Sequence, residues 1–350
     1  MSERSPRLPA LDALRALAIA WVVIRHLLSA GLLPWKLTLA TLLWVGNAGV
    51  DLFFVLSGFL IGRIVYRELE STGSLNVTQF WRRRWLRTLP AYFASLAFIR
   101  LSDLVLDDTF EWDRLWTYLV FLQTYASRLT RFNWSWSLCV EEHFYLLLPL
   151  LVLALSRGVK RFSAATTLRC LAAAAVLFSV CYRLSLYLGA PHSAEAWAES
   201  YLTTHCRLDG LGIGLALATV PPFRAGKRLT GALITVALGL LGMLLVFRNH
   251  PASKVEGFFA FSVAFGLVVL GLLGNERAMQ QEIPGAKALA ALSYALYLVH
   301  PVAIRAIGRL VPQGPWELRT TLALSAALGG AWVLRRGIEL PFLRLRDPSP

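Results

Sequence analysis

Two uninterrupted apolar stretches decide the fold class of this chain. Residues 229–247 read LTGALITVALGLLGMLLVF, and residues 257–274 read GFFAFSVAFGLVVLGLLG, with no charged side chain in either. Each stretch approaches the roughly 20 residues that cross the hydrocarbon core of a bilayer as a helix. Because the lipid interior offers the backbone no water to bind, such stretches must form helices there. The sequence therefore predicts an all-α, polytopic membrane protein.

The composition extends this prediction to the whole chain. Of its 350 residues, 56% are hydrophobic and only 16% are charged, against roughly 25% in an ordinary soluble domain. The net charge of +14 could indicate nucleic-acid binding, but the basic residues lie between apolar stretches, where membrane topology explains them. The four cysteines show no C-x-x-C spacing, so neither a disulfide framework nor a metal site is expected.

Apolar blocks between charge clusters predict ten membrane spans in a single domain that covers residues 1–350, without a fused soluble domain. Residues 115–125 (LWTYLVFLQTY) are apolar but too few to cross the bilayer, so a re-entrant or interfacial segment is expected there. The ten predicted spans lie near residues 11–30, 43–66, 88–102, 136–155, 166–188, 206–220, 229–247, 257–274, 287–307 and 320–336.

The placement of charge predicts that both termini face the cytoplasm. Short cytoplasmic loops carry an excess of Lys and Arg. With a cytoplasmic N-terminus, residues 63–87, 156–165 and 221–228 all fall inside and all are strongly basic. The acidic segments, residues 103–135 and 189–205, fall outside.

Arg15 and His26 are the most informative ionisable residues within a predicted span. They are eleven residues apart, close to three helical turns, so they project from one face of the first helix about 16 Å apart along its axis. Ionisable groups inside a membrane are costly and commonly functional. The alternatives are that Arg15 anchors the topology and that His26 is a packing residue.

Three carboxylates could approach His26 from other helices. Under the predicted topology, Asp51 enters the second span at a similar depth, and Glu141 and Glu142 lie near the outer start of the fourth. A carboxylate beside an imidazole would fix its tautomer and raise its basicity. Adjacent helical residues point about 100° apart, so only one glutamate can face His26, and we favour Glu142.

A basic run precedes the third span. Residues 80–92 read FWRRRWLRTLPAY and include Arg83, Arg84 and Arg87. Topology anchoring is one interpretation of this run. The other is a site for the phosphates of a nucleotide cofactor, because guanidinium groups bind phosphate through paired hydrogen bonds.

Seven blocks in order along nearly the whole chain resemble one family, the acyltransferase type-three family of integral-membrane, acyl-CoA-dependent O-acyltransferases. Among them, LDALRALAIAWVVIRH has the family's Arg, ten residues, then His. The blocks are LDALRALAIAWVVIRH (11–26), GVDLFFVLSGFLI (49–61), FWRRRWLRTLPAYF (80–93), SWSLCVEEHFYLLLP (135–149), RLDGLGIG (207–214), SYALYLVHPVAI (293–304) and IELPFLRL (338–345).

The resemblance implies a ten-helix acyltransferase domain in the bacterial inner membrane. It also implies an acyl-CoA donor from the cytoplasm, without a metal, and a sugar, exopolysaccharide or other glycoconjugate as the acceptor. Acetyl is the acyl group expected. The family's functional residues match Arg15 and His26 as the essential pair, Asp51 and Glu142 as the acids, and Arg84 and Arg87 as the cytoplasmic arginines.

Some positions depart from the family. His143 stands where Gln is commoner, and Leu340 stands where Arg is usual before Pro. The extracytoplasmic esterase-like domain of many members has no counterpart before Pro350, so acyl transfer is expected to finish within the membrane domain or through a partner. His300 is kept only as a residue that could line the site.

Two mechanisms and a rival function follow from the sequence. His26 could act as a general base on the acceptor hydroxyl, or it could carry the acyl group as a transient acyl-histidine. The alternative function is a transporter or flippase of a lipid-linked sugar, in which Arg15, Asp51 and His26 would form the path for an ion or the substrate. The sequence is also compatible with a homo-oligomer.

Overall fold

The protein is all-helical in the ranges that the structure describes. This computed structural model describes residues 8–34, 39–105, 114–126, 132–158, 162–190, 193–247, 250 and 253–346, and no strand occurs in them. The predicted all-α class is confirmed. The helices are α1 (Pro9–Ser29), α2 (Leu39–Thr72), α3 (Val77–Val105), α4 (Leu115–Leu119), α5 (Trp136–Gly158), α6 (Ala164–Gly189), α7 (Ala194–Leu202), α8 (Leu208–Ala218), α9 (Lys227–Val246), α10 (Ser253–Leu273), α11 (Glu276–Gln280), α12 (Ala286–Leu310), α13 (Trp316–Leu334) and α14 (Leu340–Arg346).

Each of the ten predicted spans coincides with a helix, but not every helix is long and apolar enough to cross a membrane. Among the described residues, five segments meet that standard, so the number of ten spans stays a prediction. Residues 229–246 belong to one of them, whereas Gly257–Leu273 is a shorter apolar helix. The five segments are Ala48–Thr72, Asn133–Ser156, Ala164–Gly189, Lys227–Val246 and Ala286–Leu310.

The segment 115–125 is not a span. It contains the five residues of α4 and a 3-10 turn at Gln123–Tyr125. A helix of five residues rises only about 8 Å, far less than the thickness of a bilayer. This agrees with the interfacial or re-entrant interpretation of its sequence.

Glycines let α2 and α8 pack with their backbones nearly in contact. A Cβ added at Gly58 would lie 2.8 Å from the carbonyl carbon of Leu211. A Cβ at Gly214 would lie 2.5 Å from the backbone nitrogen of Phe59. Real side chains do not approach this closely, so glycine is required at both positions. Small residues at such contacts are typical of helix packing in membranes.

The helices that position the candidate site are α1, α2, α3, α5 and α12. Helix α1 packs against both α2 and α12, and α12 also packs against α13. Helix α12 continues through Pro301, and a π-helical turn at Arg335–Glu339 connects α13 to α14. Because α1 contacts both α2 and α12, its side chains can meet groups from either neighbour.

The predicted topology can be tested with one cysteine on each side. Ser74 lies between α2 and α3, Ala194 begins α7, and both are exposed. In a background with the exposed Cys170 and Cys181 changed to Ala, Ser74→Cys should react with a membrane-impermeant maleimide only in inverted vesicles. Ala194→Cys should react only in intact cells. Labelling of both from one side would contradict the topology.

Residues 106–113 and 127–131 of the predicted outer loop lie outside the described residues.

Candidate active site

A cavity of about 120 Å³, here called the arginine cavity, is lined by three of the four predicted arginines. Arg15 reaches it from α1, and Arg84 and Arg87 reach it from successive turns of α3. Its other polar side chains come from α2, α3, α5 and α12. These are Ser57, Thr88, Ser137, Glu141, Tyr145, Ser293, Tyr294 and Tyr297.

Arg83 is not part of the arginine cavity. Its side chain is exposed, whereas Arg84, the next residue, lines the cavity. Adjacent residues of a helix point about 100° apart, and the three-residue step from Arg84 to Arg87 returns to nearly the same face. The structure thus separates Arg83 from the two arginines with which the sequence had grouped it.

The two adjacent glutamates have different surroundings. Glu141 lines the arginine cavity, in which Arg15, Arg84 and Arg87 also lie. Glu142 instead accepts a hydrogen bond from Thr88 Oγ1 at 2.7 Å. Glu142, which the sequence favoured as the carboxylate facing His26, thus has its hydrogen-bond partner on α3 instead.

A second cavity, here called the histidine cavity, has a volume of about 160 Å³ and lies beside His26. Val50 and Tyr297 line both cavities, so the cavities are neighbours, and the boundary formed by these two residues is here called the junction. Arg15 lines the arginine cavity and His26 lines the histidine cavity. Both residues project from one face of α1, as their spacing predicts. The histidine cavity is lined by Val22, Arg25, His26, Val50, Asn133, Trp134, Trp136, Tyr201, Leu202 and Tyr297.

Hydrogen bonds hold Tyr297 at the junction of the cavities. The Tyr297 hydroxyl donates to the carbonyl oxygen of Trp134 at 2.6 Å. The Ser137 hydroxyl lies 2.6 Å from the same phenolic oxygen, and it must donate because the phenol has a single proton. The ring of Tyr297 is therefore fixed between the two spaces.

His26 has a histidine as its partner. Its Nδ1 lies 3.2 Å from Nε2 of His300, and the ring centroids are 4.7 Å apart. His300 is fully buried on α12 and is 274 residues away in sequence. Sequence reasoning kept His300 only as a residue that could line the site. The signal was its place in the block SYALYLVHPVAI, but nothing in the sequence indicated which residue it contacts.

The surrounding carbonyl groups determine the tautomers of both rings. His26 Nδ1 lies 2.9 Å from the carbonyl oxygen of Val22, and His300 Nδ1 lies 2.8 Å from that of Leu296. A carbonyl oxygen can only accept, so in both neutral rings the proton is on Nδ1. His300 Nε2 then accepts from His26 Nδ1, and His26 Nε2 keeps its lone pair.

Asp51 does not pair with His26 but with Arg207. Its Oδ1 accepts from Arg207 Nη2 at 2.5 Å, and both side chains are 1% exposed. The guanidinium carbon of Arg207 lies 3.9 Å from the centroid of Phe258 and 5.3 Å from that of Trp136. Since Trp136 lines the histidine cavity, the ion pair lies behind that cavity's wall. Sequence reasoning missed Arg207, which stands in the block RLDGLGIG.

With both cavities described, the chain can be compared with known proteins. The sequence model of a family described as "Acyltransferase domain" matches residues 8–336. The chain belongs to this acyltransferase family. The match confirms the family that the seven ordered sequence blocks indicated.

Bacterial relatives agree with this membership. O-acetyltransferase OatA of Staphylococcus aureus is 27% identical over 325 residues, which cover 85% of this chain and 50% of the relative. Peptidoglycan O-acetyltransferase OatA of Listeria monocytogenes is 25% identical over 363 residues, covering 95% and 55%. The chain thus spans about half the length of these curated relatives. No solved structure matches it.

Family membership agrees with the membrane character of the chain. The five long apolar segments among the described residues and the bacterial relatives indicate a bacterial membrane protein. The orientation of its termini and the identity of the membrane stay predictions.

Proposed function

We propose that the protein transfers an acyl group, most simply acetyl, from acyl-CoA to a hydroxyl group of a cell-envelope sugar. The observation that supports this most is the junction of the two cavities at Val50 and Tyr297. One cavity has the cations that a phosphorylated donor requires, and the other has a histidine suited to proton transfer. A donor and an acceptor could thus enter separately and react where the cavities meet.

The arginine cavity supplies the donor site. Arg84 and Arg87 would hold phosphates of coenzyme A, since a guanidinium group presents a planar pair of donors to a phosphate. Arg15 lies on the same face of α1 as His26 and would orient the thioester near the junction. Under the predicted topology this cavity opens toward the cytoplasm, where acyl-CoA is expected.

His26 would act as the general base through Nε2. This nitrogen would take the proton of the acceptor hydroxyl as the hydroxyl oxygen attacks the thioester carbonyl. A carbon–oxygen bond forms, the carbon–sulfur bond breaks, and the proton passes from His26 to the departing thiolate. His300 Nε2, 3.2 Å from His26 Nδ1, would stabilise the charged imidazolium by accepting a hydrogen bond from its Nδ1 proton.

An acyl-histidine relay uses the same residues in a different order. His26 Nε2 would attack the thioester carbonyl, the carbon–sulfur bond would break, and the thiolate would leave with the Nδ1 proton of His26. The acceptor hydroxyl would then attack the acyl-histidine, break its carbon–nitrogen bond and return a proton to His26. Incubation with radiolabelled acetyl-CoA and no acceptor distinguishes the routes. A relay predicts label on the protein that His26→Ala abolishes, whereas direct transfer predicts none.

The acceptor proposed here is a sugar polymer of the cell envelope. The name of the Listeria monocytogenes relative specifies peptidoglycan, and this chain covers 55% of that relative. Under the predicted topology, the histidine cavity opens on the outer side, where such polymers are located. Its aromatic walls offer flat apolar faces to a sugar ring.

Release of the coenzyme A thiol tests the proposed function. The purified protein in nanodiscs should release thiol from acetyl-CoA faster when a sugar polymer is added, and the polymer should gain ester groups. A transporter or flippase would instead move a lipid-linked sugar without cleaving the thioester. Absence of thiol release with every acceptor would overturn the proposal.

The two cavity arginines should affect donor binding more than turnover. Arg84→Ala or Arg87→Ala should raise the KM for acetyl-CoA by about tenfold or more, because a charge-assisted contact typically contributes about 1.5–3 kcal/mol. kcat should change less, because phosphates remote from the thioester contribute mainly uniform binding. Steady-state titration of acetyl-CoA measures both parameters.

Arg83→Ala is the matched control for this experiment. It removes the same charge from the neighbouring position, but the side chain is exposed and outside the cavity. It should leave the KM for acetyl-CoA nearly unchanged. Equal effects of all three substitutions would assign the arginines to general electrostatics or to membrane topology rather than to a phosphate site.

A further inference from the structure

Arg25 places a cation in the histidine cavity that the reaction proposed above does not use. It precedes His26 on α1 and lines the same cavity. Its Nε atom is buried and has no hydrogen-bond partner among the described residues. A buried donor without a partner is costly, and a ligand that accepts from it removes this cost.

No acidic side chain lines the histidine cavity in the described part of the chain. The uncharged polar groups come from Asn133, Tyr201 and Tyr297, and two tryptophans provide flat apolar walls. The arginine cavity differs in this respect, because Glu141 lies there with the cations. The histidine cavity thus combines an aromatic surface with an uncompensated positive charge.

Membrane topology does not account for a cation at this end of α1. The positive-inside rule explains Lys and Arg in cytoplasmic loops. Arg25 is next to His26, at the end that the charge pattern places outside. A second arginine lies at the same end, since the guanidinium carbon of Arg305 is 5.0 Å from the centroid of the cavity residue Trp134.

We propose that Arg25 binds an anionic group, a carboxylate or a phosphate, on the sugar acceptor, so that the enzyme prefers acidic sugars to neutral ones. The proposal rests on the proposed function, and it adds the chemical class of the acceptor. With the anion on Arg25 and the ring against the tryptophans, a hydroxyl of the same sugar would be directed to His26. Arg25 is thus a specificity-determining residue.

Paired acceptors test this inference. Methyl glucuronide and methyl glucoside differ in a carboxylate, and glucose 1-phosphate and glucose differ in a phosphate. The wild-type protein should show a KM about tenfold lower for at least one anionic sugar than for its neutral partner, the factor expected from one charge-assisted contact. A preference confined to one pair identifies the anion as carboxylate or phosphate.

Substitution of Arg25 should remove this preference. Arg25→Gln should bring the ratio of the two KM values close to one, whereas Arg25→Lys, which retains the charge, should keep part of it. Arg309→Gln is the matched control, because Arg309 is exposed further along α12 and does not line the cavity. It should retain the wild-type ratio. A wild type without preference, or an unchanged ratio in Arg25→Gln, would overturn the inference.

A binding measurement separates this inference from the proposed function. Saturation-transfer NMR detects weak sugar binding without any reaction. The anionic sugar should give a stronger signal than its neutral partner with the wild-type protein, and this excess should vanish in Arg25→Gln. An excess without acyl transfer would overturn the proposed function alone, and transfer to both partners without an excess would overturn this inference alone.

Discussion

His26→Ala should lower kcat for acyl transfer by roughly 10²–10⁴-fold, the usual contribution of a general base. The KM for acetyl-CoA should change little, because the donor arginines line the other cavity. Expression and membrane insertion should be retained, since the substitution only enlarges an existing cavity. Initial rates of thiol release with saturating acceptor measure the effect. Retention of more than about a tenth of wild-type turnover would contradict the role.

His300→Ala distinguishes catalysis by His26 alone from catalysis by the pair. The substitution removes the group that accepts from His26 Nδ1, but His26 keeps its contact with the Val22 carbonyl. We expect a smaller loss of kcat than in His26→Ala. The double variant should be no worse than His26→Ala, because the two residues act as one unit. Multiplied losses in the double variant would indicate independent roles.

Arg207→Ala should lower the free energy of unfolding by about 3–5 kcal/mol, because it removes the cation that is hydrogen-bonded to the buried Asp51 carboxylate. Each side chain of the pair is 1% exposed, and Asp51 Oδ2 and Arg207 Nη1 have no hydrogen-bond partner among the described residues. Thermal unfolding in detergent measures the loss. Arg183→Ala is the matched comparison, since Arg183 and Asp209 form a second buried ion pair at 2.8 Å, and we expect a loss of similar size.

A double substitution determines whether Asp51 takes part in the chemistry. Replacing a buried ion pair with apolar residues of similar volume is often neutral for stability. Asp51→Leu combined with Arg207→Met should therefore be more stable than Arg207→Ala. If Asp51 only positions the wall around Trp136, turnover should recover together with stability. Restored stability without turnover would show that Asp51 acts in the reaction, as the family resemblance implies.

The ion pair explains how a residue remote from the junction could affect acyl transfer. Arg207 contacts Trp136 and also lies 5.5 Å from the ring centroid of Tyr201, and both aromatic residues line the histidine cavity. The rings of Trp197 and Tyr201 are stacked 5.4 Å apart, which extends this aromatic wall along α7. Loss of the ion pair would therefore loosen the surface on which the acceptor is proposed to bind.

The sequence alone determined the helices and the family. Long apolar blocks can only be stable in lipid as helices, and each of the ten predicted segments coincides with a helix. Helical periodicity also placed Arg15 and His26 on one face, because that relation depends only on the 100° step between residues of a single helix. Seven ordered blocks identified the family, as the match to residues 8–336 confirmed.

Only the tertiary structure decided which side chains meet. His26 contacts His300 and Asp51 contacts Arg207, pairs that are 274 and 156 residues apart in sequence. Such contacts depend on how each helix is rotated and shifted against its neighbours. Close approaches such as Gly58 against Leu211 fix that arrangement. Periodicity along one helix contains no information about rotation relative to another, so the partners of His26, Asp51 and Glu142 could not be read from their own segments.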